Sequence, residues 1–175
     1  AFSLLSHIFY GQSSNIDIKN LKLKHISLEQ GLSQSSVLSI LQDKNGFLWF
    51  GTRDGLNKYD GHNFKTYKHI SNDSTSLSNN YIKALYEDDH GNMWIGTSNG
   101  LNLYVESEDS FQRFMQTNII SNNEISNIIK DDSDHLWVAT YHQLKSFSIK
   151  EKRIIDNREI KLDNPIRAVL KSKDG

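Results

Sequence analysis

The sequence predicts an all-β fold, a β-propeller of antiparallel four-stranded blades, and three observations carry that prediction. Trp49, Trp94 and Trp137 recur 45 and 43 residues apart, a period that four-stranded propeller blades use. The register holds on both sides of each Trp. Leu48, Met93 and Leu136 precede it; Phe50, Ile95 and Val138 follow, then Gly51, Gly96 and Ala139, then Thr52, Thr97 and Thr140. Leu56, Leu101 and Leu144 are the next apolar anchors. Short apolar runs are separated by polar turn signals, with ten glycines and a single proline in 175 residues.

Each unit reads as four strands in order. The first is "SVLSILQD", "YIKALYED" or "EISNIIKD". Its apolar residues fall on both faces, as in an innermost strand buried between neighbouring blades. It ends at Asp43, Asp88 or Asp131, and a hairpin follows, helped by Gly46 and Gly91, since glycine reaches positive φ without strain. The second strand carries the Trp. A "RDGL" or "SNGL" turn leads to the third strand, "LNKYD" or "LNLYV". The fourth, "FKTYKH" or "FQRFMQ", is outer and more polar. This places the first blade at about residues 32–70, the second at 77–116 and the third at 120–158. "LKLKHIS", residues 21–27, reads as an outer strand able to close a ring, and residues 164–175 as the start of a fourth blade. Residues 16–175 are thus three and a fraction blades. A propeller needs about four to eight, so an incomplete ring is expected, the N-terminal piece of a longer protein, or one whose open faces self-associate.

Composition narrows the function. Hydrophobic residues are 37% and charged residues 23%, enough for a packed core. The net charge of −1 gives no basic face for a phosphate backbone, so nucleic acid is not an expected partner. There is no cysteine, hence no disulfide, thiolate metal site or thiol nucleophile. Residues 1–15, beginning "AFSLLSHIFYGQSS", read as a signal-peptide remnant or a disordered N-terminus. No other stretch has the roughly 18 apolar residues of a membrane span.

The pattern "GLSQSSVLSILQDKNGFLWFGTRDGLNKYDGHNF" resembles the two-component regulator propeller repeat. The resemblance covers about residues 21–175, strongest in the first two units; in the third, "VATYHQLKSF" departs from the pattern. It implies the periplasmic sensor region of a Bacteroides-type hybrid two-component histidine kinase. Such proteins carry two seven-bladed propellers, an immunoglobulin-like domain, one membrane span, a kinase and a DNA-binding output. They respond to glycan fragments and regulate polysaccharide-utilisation genes. By this resemblance the segment is a non-catalytic, extracytoplasmic sensor. Its expected partners are an oligosaccharide, further propeller blades and a second copy in a homodimer. The alternatives are a fragment of a propeller-fold lyase or glycosidase, or a propeller that only positions a partner protein.

No cofactor, metal or catalytic residue is assigned. Trp49, Gly51, Thr52, Trp94, Gly96, Thr97, Trp137 and Thr140 recur in every unit or two of three, so they are read as structural. "EDDHGNMW" is similar to part of the Asp-box hairpin of sialidase propellers through Asp89, Gly91 and Trp94; Lys44 breaks the match in the first unit. "DDSD", residues 131–134, could be offered to calcium but lacks EF-hand spacing, and reads as turn capping. The seven histidines show no metal-hydrolase spacing. Asp54 and Asp60 are the carboxylates an enzyme reading would nominate. Ligand contacts are expected on one rim, from the loops between blades and the turns between second and third strands. The candidates are Gln34, Arg53, Asp54, Asn80, Tyr81, Asn99, Asn123, Tyr141 and His142. Arg53 could take a uronate or sulfate bidentately, and Tyr81 and Tyr141 could stack on a sugar. A sensor must bind ligand better in one arrangement than another, so the site is expected near an interface between propellers or protomers.

Overall fold

In a computed structural model, residues 25–114, 124–133, 135–150 and 153–171 are described. They form three antiparallel four-stranded sheets, each a meander in chain order. The first holds β1 (Val37–Gln42), β2 (Leu48–Thr52), β3 (Gly55–Tyr59) and β4 (Phe64–Tyr67). The second holds β5 (Ile82–Glu87), β6 (Met93–Thr97), β7 (Gly100–Val105) and β8 (Ser110–Phe114). The third holds β9 (Asn127–Lys130), β10 (His135–Ala139), β11 (Gln143–Lys150) and β12 (Arg153–Lys161). The final strand runs to Lys161, beyond the expected end of the third blade. The sheets stack through their inner strands, β1 and β2 on β5, β5 and β6 on β9. The array is open among the described residues.

The Trp position explains how blades adhere. Trp49 and Trp94 are each 1% exposed. Trp49 lies in a cluster with Leu56, Leu77, Ile82, Ile95 and Phe111, so residues of the second unit bury it. Trp94 is buried in the same way by Ile125, Ile128, Leu136, Val138 and Phe147 of the third. Trp137 is only half-buried, because no later sheet covers it among the described residues. The glycine two residues after the Trp is demanded by the same packing. A Cβ on Gly51 would lie 2.7 Å from Ile82 Cγ2, and one on Gly96 2.6 Å from Ile125 Cγ2, closer than carbon atoms approach. In the third unit the position is Ala139. There the residue matching Ile82 and Ile125 is Ile166, which is half-exposed rather than fully buried.

Two polar devices repeat with the blades. Asp43 Oδ1 accepts the backbone N–H groups of Asn45 and Phe47, and its Oδ2 accepts Trp49 Nε1–H at 2.7 Å. Asp88 does the same for His90, Asn92 and Trp94, and Asp131 for Ser133, His135 and Trp137. One carboxylate thereby closes the first hairpin and satisfies a buried indole. The Asp-box comparison is corrected by this geometry: the working aspartate of the second unit is Asp88, six residues before its Trp. Asp89, one residue later, hydrogen-bonds Lys130 instead. The second device joins Ser78, Thr97 and Asn102, with a counterpart in Ser33, Thr52 and Asn57.

The inner strand of the first sheet departs from expectation. Leu38 and Ile40 are 40% and 64% exposed, so β1 is buried on one face rather than two. On the same face of the sheet the neighbouring strands are covered, where Leu32 packs with Phe50 of β2 and Tyr59 of β3. A single turn at Leu28–Gln30, capped by Ser27 and closed by Gly31 at φ 105°, leads into that packing. Of the expected closing strand at 21–27, residues 25–27 are described and form no strand; the rest lies outside the described residues. Residues 164–171, read as the start of a fourth blade, also form no strand. No described segment pairs with them as a hairpin mate, although Ile166 N–H donates to Tyr141 O at 2.8 Å.

A tyrosine pair locks the first two blades on their outer side. Tyr67 and Tyr104 both donate to Asp109 Oδ1, at 2.7 and 2.8 Å, and Lys65 pairs with its other oxygen. Burial pushes Tyr104 up to about 12 and raises Tyr67 further. Burial also works against charge on Asp109, but hydrogen bonds from Lys65, Tyr67 and Tyr104 outweigh it and hold the carboxyl at about 2. A carboxyl depressed in the folded state stabilises above its unfolded value near 3.8. That contribution is lost as pH falls through about 2. The stability gap between wild type and Asp109→Asn should therefore be flat near neutrality and close between about pH 4 and 2. Denaturant midpoints measured across that range test it, and a gap unchanged at pH 2 would remove the carboxylate from the lock.

Candidate functional site

The strand ends fix where a rim can form. Val37 pairs with Thr52 and Ile82 with Thr97. The loops entering β1 and β5 therefore share an end of the array with the β2–β3 and β6–β7 turns. Six of the nine rim candidates in these two units can be placed. Asn80 serves the backbone: its carbonyl accepts Gly55 N–H at 2.8 Å and its side chain accepts His69 N–H at 2.6 Å. Gln34 accepts Ser36 N–H within its own loop. Asn99 reaches Ser78 O. Asp54 is paired with Lys68 at 2.7 Å. These four side chains are engaged in the fold.

Arg53 and Tyr81, 28 residues apart in sequence, meet. The Arg53 guanidinium carbon lies 5.7 Å from the Tyr81 ring centroid. Lys83 Nζ lies 5.3 Å from the same ring and pairs with Glu124, the residue preceding the buried Ile125 of the third unit. The four side chains thus gather where the three units adjoin. Arg53 is exposed, while the Lys83 side chain is 25% exposed. Lys83 and Glu124 were not among the sequence candidates. A Lys in the second position of an inner strand gives no signal until the neighbouring loop is placed.

On the third unit Tyr141 is 53% exposed, its ring 4.6 Å from that of His142 in an edge-on arrangement. The chain after β12 returns to this turn, with Leu162 N–H donating to His142 O. Asn123 lies outside the described residues.

The enzyme nominees do not form a pair. Asp54 stands before β3 and Asp60 after it, so five strand residues separate them, about 20 Å at strand rise. Paired glycosidase carboxylates stand roughly 5–10 Å apart. Asp60 moreover has its carboxyl held below the usual range by backbone N–H groups of Asn63 and His62, the opposite of what a general acid requires. Among the described residues no three His, Cys, Asp or Glu side chains gather as a metal site.

Residues 31–54, 76–99 and 119–142 match the family model described as "Two component regulator propeller". These segments are two-component regulator propeller repeats. The first two matches run from the entry loops of Ser33 and Ser78 through the Trp strands to the rim turns, and the third takes in β9, β10 and the turn at Tyr141 and His142. Over 77 residues the chain is 51% identical to a protein named histidine kinase P4 of Formosa agariphila, covering 44% of this chain and 6% of that protein. Among solved structures it is similar to the extracellular domain assigned to a hybrid two-component system of B. thetaiotaomicron. That match has 36% identity and a TM-score of 0.66, covering 72% of this chain and 19% of the other. A second B. thetaiotaomicron extracellular domain matches at 26% identity and TM-score 0.61, covering 73% and 18%. An inactive virginiamycin B lyase of Staphylococcus aureus matches at 17% identity and TM-score 0.60, covering 85% and 47%, a likeness of fold alone. The repeats span about a fifth of the two ectodomains and a small part of the curated kinase. They are related to extracellular sensor domains of two-component systems. No helix among the described residues is long and apolar enough to cross a membrane.

Proposed function

We propose that these repeats form part of the extracytoplasmic sensing propeller of a hybrid two-component histidine kinase, binding oligosaccharide without turning it over. The kinase output would then control genes for polysaccharide use. The observation that carries this reading is the 51% identity to a histidine kinase, beside 36% identity to a two-component extracellular domain. The rim is chemically suited to the task, with Arg53, Tyr81, Tyr141 and His142 displayed on a stacked, rigid scaffold. Propeller blades stacked face to face can pass a shift at the rim to their neighbours, because packed interfaces have few alternative arrangements. The binding arrangement includes further blades or a second copy, so the 175-residue chain alone should bind more weakly than the native-length ectodomain.

The test is calorimetry of the native-length ectodomain against a panel of defined oligosaccharides, run beside a reducing-end assay. Binding without new reducing ends is the expected result. Hydrolysis abolished by Asp54→Asn or Asp60→Asn would replace the sensor with an enzyme. A panel without any binder, with a stable hetero-complex isolated instead, would leave a propeller that positions a partner protein.

A further inference from the structure

At the corner where the first two blades meet the third, the local charges do not cancel. Lys68 is matched by Asp54 and Lys83 by Glu124. Arg53 has no carboxylate partner among the described residues, and it is exposed. Its guanidinium is nevertheless held, 5.7 Å above the Tyr81 ring. A cation on an aromatic face is attracted to the ring quadrupole, enough to favour one orientation of a long side chain. The result is a planar donor fork presented to solvent with a net charge of +1 over the five ionised groups nearby.

The ring itself argues against a neutral sugar. A sugar that stacks needs an open aromatic face. Tyr81 instead already has two cations within 6 Å of its ring centroid, Arg53 and Lys83. Tyr81 is thereby a holder of positive charge and not a stacking platform. The chemistry complementary to an oriented guanidinium is a planar or tetrahedral oxyanion, bound through two parallel N–H···O bonds. On a saccharide that means the carboxylate of a uronic acid or a sulfate ester.

We infer that the Arg53–Tyr81–Lys83 corner is an anion subsite that selects acidic oligosaccharides. This rests on the oligosaccharide-sensing reading above and deepens it. Arg53 contacts the anionic group directly. Tyr81 orients Arg53, whose uncancelled charge attracts the anion in a way that salt screens, while Lys83 is held beside the same ring by Glu124.

Calorimetry of the native-length ectodomain decides it, with tetragalacturonate, a sulfated galactan tetrasaccharide and neutral cellotetraose as probes. An acidic probe should bind and cellotetraose should not. Arg53→Gln should weaken that binding about ten-fold or more. Arg53→Lys should restore only part, because an ammonium cannot make the paired bonds. Raised salt should weaken the wild type more than Arg53→Gln. Binding of an acidic probe that Arg53→Gln leaves unchanged would overturn the subsite. Binding of cellotetraose in preference to both acidic probes would overturn the acidic class while leaving the sensor reading intact. Absence of binding by every saccharide of a broad panel would remove the sensor reading and this subsite together. Arg53 is exposed, so an unchanged thermal midpoint should accompany each substitution.

Discussion

Replacing Trp94 with alanine should cost about 3–5 kcal/mol, the range for a large aromatic removed from a core. Trp94 is 1% exposed and belongs to a cluster drawn from the second and third sheets. Its ring lies 5.4 Å from Phe114, and its indole N–H is held by Asp88. Truncation therefore empties the seam between two blades rather than a pocket within one. A domain stable by about 5–15 kcal/mol loses much of its margin. The informative comparison is Trp137→Ala. The same residue in the same repeat position is only half-buried, with no later sheet over it among the described residues, so its loss should cost well under half as much in this chain. Denaturant unfolding of the two variants measures both. Equal losses would show that each Trp stabilises its own blade alone, and the blade-to-blade account would fail.

That asymmetry also shows what a repeat sequence can and cannot disclose. The meander was legible because Trp, Gly and Thr recur in fixed register, and the hairpin aspartates because Asp43, Asp88 and Asp131 each stand six residues before a Trp. The Asp-box resemblance points instead to Asp89, which aligns with Lys44 and Asp132 rather than with the working aspartates. The apolar residues on both faces of β1 suggest a strand buried between blades, whereas Leu38 and Ile40 are exposed because β1 lies at the end of the array. The rim was harder. The sequence could nominate Arg53 and Tyr81 separately, but not their contact, since nothing local records that a turn in one blade leans on the entry loop of the next. Asn80 and Asn99 looked equally available, yet both are engaged by backbone partners. Hydrogen-bonding capacity is visible in a sequence; whether the fold has already used it is not.

The Ser–Thr–Asn device sharpens this point, because its members look like ordinary turn residues. Asn102 is 0% exposed. Its Oδ1 accepts Ser78 N–H at 3.0 Å, and its Nδ2 donates to Ser78 Oγ at 2.9 Å and Ile95 O at 3.3 Å. Ser78 Oγ lies 2.9 Å from Thr97 Oγ1, which in turn caps the rim turn through Gly100 O and Asn99 N–H. One amide side chain thus ties the entry loop of a blade to its Trp strand and its rim turn. Asn102→Ala leaves the Ser78 N–H buried without an acceptor, and an orphaned group of that kind costs about 1–3 kcal/mol beyond the lost bonds. The expected total is about 2–4 kcal/mol. Asn102→Asp separates the electrostatics from the shape. It keeps the acceptor but faces Ile95 O with a carboxylate oxygen where a donor stood. A buried carboxylate has its pKa raised by lost hydration. Its neutral form, which can donate, should restore stability as pH falls below that raised value, and the deficit should be greatest near neutrality. Denaturant midpoints of Asn102→Asp against wild type across pH 4–8 would show this recovery. A deficit that does not shrink with acidity would mean that Asn102 acts by filling space and not by supplying a donor. In the third unit the equivalent residue is Lys145, 4% exposed and paired with Glu159 at 3.5 Å, its cross-strand neighbour. There a charge pair between β11 and β12 stands where the other units have an amide bridge to the entry loop. That substitution marks the third unit as built differently just where its turn displays Tyr141 and His142.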